Sequence, residues 1–144
     1  GGLMRYLALD VGDARIGVAV SDAGAMLARP LEVIARSRGS ASFERIQALV
    51  DEYGVSAIVV GWPFLPNGSE GEQVRSTAAY LDGLRRHVSV PIIRYDERDT
   101  TNQAADLARA SARSRRRRAK QLDAMAAAVI LQSFLDEMAE EQAS

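Results

Sequence analysis

The stretch that decides the fold is residues 6–22, YLALDVGDARIGVAVSD. From Tyr6 to Val11 every second residue is a large aliphatic side chain, which is the period of a β-strand. Residues 12–15, Gly-Asp-Ala-Arg, have the composition of a turn, and residues 16–20 predict a second strand. The stretch therefore predicts a hairpin whose first strand carries a carboxylate, Asp10, close to its end.

Asp10 is the first candidate for chemistry. A charged group at the end of an apolar strand is costly to bury unless a cation or hydrogen-bond donors compensate it. Its neighbours Ala8 and Gly12 are small, so they leave room for such a partner. The alternative is that Asp10 caps its own turn through its side chain.

The length and composition predict one soluble, globular domain. With 144 residues, 47% of them hydrophobic and 26% charged, the chain can bury a sizeable core. The absence of cysteine excludes disulfides and thiolate metal sites, and a single histidine excludes a multi-histidine zinc site. No apolar run reaches the roughly 18 residues of a membrane helix, so we expect a cytoplasmic protein without a membrane partner.

Three segments follow from the sequence. Residues 1–3, Gly-Gly-Leu before Met4, have the appearance of a cloning remnant, residues 4–138 form the predicted domain, and residues 139–144 form an acidic tail. The domain contains a run of further predicted elements: a strand at 26–36 with Pro30 at an edge or bulge, a helix at 43–53 that ends at Gly54, a buried strand at 57–60, a helix from the capping box Ser69-x-x-Glu72 to Leu84, a strand at 92–95, a short helix to about 110, and a last helix from about 119 to about 134.

This order predicts an α/β fold with a five-stranded mixed sheet flanked by helices. Short turns join the first three strands, which predicts an antiparallel meander, whereas each of the last two is reached through a helix and is predicted to be parallel. The first strand is then central. The carboxyl ends of the parallel strands bring Asp10, residues 61–63 and residues 96–97 to one edge, where open α/β sheets bind their ligands.

Acidic side chains from three elements are predicted to converge at this edge. Asp123 starts a helical stripe of small apolar residues that can lie close to the sheet, although an Asp near a helix N-terminus is also favoured by the helix dipole. Asp10, Glu97 and Asp123 would repel one another unless a cation lies between them, with Asp96 nearby. Oxygen ligands without His or Cys favour Mg²⁺ or Mn²⁺, which suits hydrolysis of a phosphodiester.

The residues that carry these features also resemble a known family. The matching segments are Asp10-x-Gly12, residues 15–22 (RIGVAVSD), Gly61-x-Pro63, residues 96–101 (DERDTT) and Asp123-x-x-Ala126. In this order they are similar to the YqgF/RuvX family of RNase H-like bacterial proteins, described as Holliday-junction resolvases and as nucleases that mature the 5′ end of pre-16S rRNA. The resemblance extends from Met4 to about Phe134.

The resemblance implies roles for individual residues. Asp10, Glu97 and Asp123 would be the acidic metal-binding and catalytic triad. Gly12, Gly61 and Pro63 would shape the floor of the cleft, and Arg15 and Arg98 would lie near the substrate phosphates. Ala14 and Asp99 depart from the family pattern, because a lysine and an apolar residue are more usual there, and these changes bear on substrate affinity. The mechanistic hypothesis is attack by a metal-activated water without a protein nucleophile.

The net charge of −1 conceals a basic block. Residues 109–120 carry seven positive charges and no acid, so the rest of the chain carries −8. Such a block indicates a polyanionic partner, and the predicted nucleic-acid contacts are Arg113, Arg115, Arg116, Arg117, Arg118 and Lys120. A solvated loop is the alternative reading. Trp62 either stacks on a base or packs within the protein or against a second subunit.

Other functions remain open from the sequence. Asp-x-Gly followed by a Gly-x-Ala strand also resembles the phosphate hairpin of sugar kinases and actin-like ATPases, but those clamp nucleotide between two such domains. A noncatalytic RNA-binding ribosome-assembly factor is a second alternative. Within the nuclease hypothesis, the partner is structured RNA, including a ribosomal precursor, or branched DNA. A junction resolvase requires a homodimer, whereas an RNA-trimming enzyme can be a monomer; the family resemblance favours ribosomal RNA.

Overall fold

The computed structural model describes residues 3–62, 71–96 and 115–143, with side chains in the last range from Asp123 onward. These residues form five strands and three helices. The elements in chain order are β1 (Tyr6–Val11), β2 (Arg15–Ser21), β3 (Ala28–Ala35), α1 (Ala41–Tyr53), β4 (Ala57–Trp62), α2 (Glu72–Leu84), β5 (Ile92–Asp96) and α3 (Arg115–Ala143).

The strands form one mixed sheet in the order β3-β2-β1-β4-β5. β1 pairs antiparallel with β2 and parallel with β4, while β3 and β5 extend the two sides antiparallel and parallel, respectively. The predicted meander, the two parallel strands and the central position of β1 are therefore confirmed. The burial agrees with this order, because all apolar residues of β1 are buried, whereas only one residue of the edge strand β3 is buried.

The edge strand β3 also contains the predicted irregularity at Pro30. The register of β2 with β3 shifts between Val18 and Ala19: Val18 pairs with Glu32, but Ala19 pairs with Pro30. Leu31 is therefore the extra residue of a bulge. A proline cannot donate a ladder hydrogen bond, so an edge strand with a bulge is where it disturbs the sheet least.

The two faces of the sheet have different cores. Large aliphatic residues of β1, such as Leu7 and Leu9, pack with α1 and α2 on one face. On the other face, Ala8, Ala19 and Ala127 belong to the core under α3. The small side chains allow this helix to lie close to the sheet, as predicted from the small apolar stripe that follows Asp123. By strand alternation Asp10 shares the α3 face with Ala8.

Helix α3 differs from its predicted extent at both ends. It begins at Arg115 rather than near residue 119, and it continues to Ala143 instead of ending near residue 134 in an irregular acidic tail. The apolar stripe explains the longer helix, because Leu131 and Leu135 are buried and the Tyr6 hydroxyl donates to Met138 Sδ at 3.5 Å. The acidic residues of the tail are good helix formers and occupy its exposed side.

Helix ends test two further predictions. Gly54 ends α1 in the left-handed conformation with φ 62°, which confirms the predicted stop. The predicted capping box of α2 is wrong. The helix begins at Glu72 with Gly71 as its N-cap, whereas a capping box with Ser69 as the N-cap would begin the helix two residues earlier. The short helix predicted before residue 110 lies outside the described residues. None of the helices in the described ranges has the length and apolar composition needed to span a bilayer.

Candidate active site

Asp10 stands near the carboxyl end of β1, on the face that α3 covers. It is only partly exposed and pairs with Gly17 of β2. In the described part of the chain, no side-chain donor lies within hydrogen-bond distance of its carboxylate. Burial, and second the nearby charge of Asp123, raise the pKa of Asp10 from 3.8 to about 6. The proximity of two carboxylates predicted from the sequence is therefore present between Asp10 and Asp123.

Arg15 links the hairpin to the helix. Its Nε lies 2.8 Å from Oδ2 of Asp123, with the two side chains 43% and 30% exposed. Arg15 begins β2 immediately after the turn, so this ion pair fixes the Asp123 carboxylate relative to the hairpin that carries Asp10. Among the described side chains, Asp123 has this cation as a partner and Asp10 has no ion pair.

Gly17 lets α3 approach the hairpin. A Cβ at this position would overlap the backbone carbonyl oxygen of Asp123 and would lie 3.0 Å from the backbone nitrogen of Ala124. Any side chain at residue 17 would therefore push the helix away from β2 and separate Asp123 from Asp10. This role of Gly17 was not predicted from the sequence, although a glycine in the middle of a strand is a signal for close backbone approach.

The turn between β1 and β2 requires glycine at residue 12. The Gly12 amide donates to the Arg15 carbonyl oxygen at 2.9 Å, and a Cβ on Gly12 would lie 2.8 Å from the same oxygen. The tight turn returns the chain so that Arg15 emerges beside Asp10. The position of Gly12 thus fits the cleft-shaping role that the family resemblance implies for it.

Side chains from outside the hairpin hold this turn in place. Arg36 donates through Nη1 to the Gly12 carbonyl oxygen at 2.9 Å and to Ser76 Oγ at 2.8 Å. Ser76 Oγ in turn donates to Asp13 Oδ1 at 3.0 Å. Gln73 of α2 donates to a further carbonyl oxygen at the end of β1, that of Val11, at 2.8 Å. We call Arg36, Gln73 and Ser76 the turn clamp.

The turn clamp was not predicted from the sequence. Its contacts join residues that are 24 to 63 positions apart. No local pattern marks an arginine, a glutamine or a serine for such a contact, since each is equally common on a solvated surface. The clamp matters to the site because the backbone it binds is the backbone next to Asp10.

The chain matches the family model described as RuvX, Holliday junction resolvase, over residues 4–137. The chain belongs to the RuvX family. The resemblance that the motifs around Asp10, Gly61 and Asp123 carry is therefore confirmed.

Relatives in the RuvX family are named for RNA processing. A protein of Geobacillus thermodenitrificans (strain NG80-2) named "Putative pre-16S rRNA nuclease" is 47% identical over 135 residues, covering 92% of this chain and 98% of the relative. A protein of the same name from Geobacillus kaustophilus (strain HTA426) is 45% identical over 135 residues, with the same coverage of both chains. The family and these relatives confirm the predicted class, a nuclease that binds nucleic acid.

Solved structures with the same fold are more distant in sequence. A Thermus thermophilus RuvC in complex with a Holliday junction substrate aligns with a TM-score of 0.58 and 19% identity, covering 94% of this chain and 96% of that one. The resolvase of Fowlpox virus in complex with Holliday junction DNA aligns with a TM-score of 0.52 and 14% identity, covering 94% and 99%. These likenesses confirm the predicted RNase H-like fold.

The other predicted site residues fall into three groups. Gly61 is buried in β4 and pairs with Tyr95, at the same edge of the sheet as Asp10. The N-terminal turns of α3 contain Arg115, Arg116, Arg117, Arg118 and Lys120, which precede Asp123 by about 4 to 12 Å along the helix axis. The predicted residues that lie outside the described ranges are Pro63, Glu97, Arg98 and Arg113.

Asp96 lies on the opposite face of the sheet from Asp10. Ile93 and Tyr95 of β5 face the core under α3, so by alternation Asp96 shares the other face with Ile92. Asp96 pairs with Trp62, two strands away from β1. Asp96 was predicted to lie near the converging carboxylates. It lies at the same edge of the sheet as Asp10 but on the opposite face.

A divalent cation fits the two described residues of the predicted triad. Asp10 and Asp123 supply carboxylate oxygens, the ligands that Mg²⁺ and Mn²⁺ prefer, and a cation between them would offset the burial and the like charge that raise the pKa of Asp10. Among the described residues no group of three His, Cys, Asp or Glu side chains could hold a metal ion. The third predicted ligand, Glu97, lies outside the described residues.

Proposed function

We propose that the protein is a divalent-metal-dependent nuclease whose active site contains Asp10, Asp123 and Glu97. The observation that carries this proposal is the closeness of Asp10 to Asp123, in a site where burial, and second the charge of Asp123, raise the pKa of Asp10 to about 6. A chain that brings two carboxylates together in a partly dry cleft gains little unless a cation binds there. Membership of a nuclease family supplies the reaction, hydrolysis of a phosphodiester.

Each described residue has a distinct part in this proposal. Asp10 and Asp123 would hold Mg²⁺ or Mn²⁺, which when bound activates water and neutralises phosphate charge. Arg15 keeps the Asp123 carboxylate oriented, and its exposed guanidinium is available to a substrate phosphate. Gly17 and the turn clamp keep the two acids at a fixed separation. None of these roles needs a protein nucleophile.

The proposed substrate is the 5′ end of pre-16S rRNA. The support is the name of the relatives, which are up to 47% identical and are covered almost in full. The arginines at the start of α3 would bind the backbone of this RNA without reading its sequence. We propose a cytoplasmic enzyme that can act as a monomer, because trimming one strand needs one active site.

Branched DNA is the second candidate substrate. The family description names a Holliday junction resolvase, and the fold is that of resolvases solved with junction DNA. Symmetric cleavage of a junction needs two active sites, so this function would require a homodimer. The noncatalytic assembly-factor hypothesis differs from both in that its cellular role would not depend on Asp10.

The test is a cleavage assay on three matched substrates: single-stranded RNA, a pre-16S 5′-end RNA and a four-way DNA junction. Each is incubated with Mg²⁺ or Mn²⁺ and with wild type, Asp10→Asn or the control Asp51→Asn, which changes an exposed carboxylate of α1. We expect wild type and the control to cleave the rRNA precursor and Asp10→Asn to be inactive. Preferred cleavage of the junction would make branched DNA the substrate in place of the rRNA precursor. If no protein cleaves any substrate although all bind RNA equally, the nuclease hypothesis is refuted.

A further inference from the structure

A second pocket lies between α2 and the β4–β5 side of the sheet. It has a volume of about 300 Å³ and is separate from the carboxylate cleft. Its apolar lining includes Trp62 and Leu81, and its charged lining includes Arg75, Arg85 and Arg94. We call it the Trp62 pocket. A pocket lined by arginines and an aromatic side chain is an environment suited to a phosphorylated ligand.

Arg94 has the most informative geometry in this pocket. The carbon at the centre of its guanidinium lies 3.9 Å from the centroid of the Trp62 ring, although the residue as a whole is exposed on the edge strand β5. Stacking of this kind fixes the plane of the guanidinium and leaves its N–H groups directed outward. Among the residues that the structure describes, Arg94 makes no ion pair.

The charge of the Trp62 pocket is positive. One acid, Asp82, accompanies the three arginines of the lining, and it lies 3.5 Å from Arg85 in an exposed pair. An exposed pair of this kind is weak and leaves the arginine free to exchange partners. The formal charges of the lining therefore sum to +2, on a protein that is strongly acidic apart from residues 109–120.

The position of the pocket relates it to the cleft. Trp62 ends β4, which pairs with β1, so it reaches the same edge of the sheet as Asp10. Strands lie about 4.8 Å apart, which places Trp62 and Arg94 within about 10 Å of the end of β1, on the opposite face of the sheet. A nucleic-acid strand that crosses this edge would contact both sites within a few nucleotides.

We propose that the Trp62 pocket binds a backbone phosphodiester of the nucleic-acid substrate at a position removed from the cleaved bond. Arg94 is the main contact, Trp62 holds its guanidinium in place, and Arg85 contributes a second positive charge. This inference rests on the proposed function, because it extends the path of the same substrate. Such a contact adds affinity and register without sequence preference, and it takes no part in bond cleavage.

The chain offers a direct reporter for this pocket. Trp62 is the only tryptophan, so intrinsic tryptophan emission reports on the pocket alone. The probe is a fluorescein-labelled decauridylate RNA, titrated in EDTA so that no cleavage occurs, with anisotropy and Trp62 emission recorded together. Wild type is compared with Arg94→Gln, with Arg94→Lys and with Arg86→Gln. The last is a matched control, because Arg86 is an exposed neighbour outside the lining.

We expect Arg94→Gln to weaken RNA binding by about 3- to 10-fold and to lower the salt dependence by about one phosphate contact, while Arg86→Gln binds like wild type. Arg94→Lys should lie between them, since it keeps the charge but not the planar stacked fork. Trp62 emission should change in step with RNA binding. Because the assay is free of divalent ions, a failure of catalysis does not affect its outcome.

Two results would overturn the proposal. One is equal RNA affinity for Arg94→Gln and Arg86→Gln. The other is a change in Trp62 emission with inorganic phosphate but not with decauridylate, which would make the pocket an isolated anion site. The two proposals can also fail separately. If Arg94→Gln loses RNA binding and no protein is active in the cleavage assay, the nuclease hypothesis is refuted but the proposed phosphate contact is supported.

Discussion

Asp10→Asn should stabilise the metal-free protein above pH 6. In the folded chain the pKa of Asp10 is raised from 3.8 to about 6, first by burial and second by the charge of Asp123. Below about pH 3 the carboxyl is protonated in both folded and unfolded chains and has no cost. Between pH 4 and pH 6 the unfolded chain releases this proton before the folded chain does, so the stability of wild type falls as the pH rises.

The size of the effect follows from the raised pKa. A change from 3.8 to about 6 corresponds to about 3 kcal/mol when Asp10 is fully ionised. Partial exposure of the side chain allows solvent screening, which reduces the expected value to about 2 kcal/mol. For a domain of this size that corresponds to about 6 to 8 °C in Tm. The substitution removes the charge with little change of shape, so this penalty should disappear in the variant.

The assay is thermal unfolding followed by circular dichroism in EDTA, at half-unit steps from pH 4 to pH 8. The quantity of interest is the difference in Tm between Asp10→Asn and wild type, which should grow from pH 4 to pH 6.5 and then stay constant. Asp51→Asn serves as the control for the same change at an exposed site. Addition of Mg²⁺ at pH 8 should raise the Tm of wild type and have a smaller effect on Asp10→Asn. Parallel pH curves for the two proteins would refute the reasoning.

Three further outcomes test the site. Gly17→Ala should lower the free energy of unfolding by about 1 to 3 kcal/mol and the cleavage rate by about 100-fold, because the new methyl group displaces α3 by about 1 Å. The control in the melting and cleavage assays is Gly24→Ala, where a Cβ has no contact closer than 3.8 Å. Arg36→Gln should lower the free energy of unfolding, measured in urea, by about 1 to 3 kcal/mol and should reduce kcat more than RNA affinity. The control Arg38→Gln, at an exposed position, should leave stability, kcat and RNA affinity unchanged. Glutamine at residues 115–118 should reduce the slope of log affinity against log salt by about 3 in RNA titrations, without changing the Tm.

The sequence predicts the sheet well because its signals are local. The alternation in β1, the turn at Gly12 and the glycine that ends α1 each act within a few residues, and together they leave few ways to order five strands. The closeness of Asp10 to Asp123 was predicted from that strand order together with the small apolar stripe of the last helix. The family resemblance added roles for residues such as Glu97, which lies outside the described structure, and these roles stay predictions.

The features that sequence reasoning missed depend on contacts between distant segments. The turn clamp is one case, because Arg36 is indistinguishable in sequence from the exposed Arg38 two residues later. Gly17 is another: its small size matters only because the backbone of α3 crosses β2 at that point. The helical acidic tail is a third. Its charge pattern indicated an irregular segment, but packing of Leu135 and Met138 on the sheet determines the outcome.

The length of α3 has a consequence for the position of Asp123. Gln132, nine residues further along, accepts from the Ala28 amide at 2.9 Å and donates to the Met26 carbonyl oxygen at 3.0 Å. Together with buried Leu131, these contacts fix the rotation and the height of the helix against β3. At the other end, the missing Cβ of Gly17 and the ion pair with Arg15 fix the same helix against β2. Because a helix is stiff, anchoring at both ends leaves Asp123 little freedom to move away from Asp10. Apolar packing further along α3 thus holds Asp123 close to Asp10, where its charge disfavours the ionised form of Asp10. The proposed cation would neutralise this repulsion.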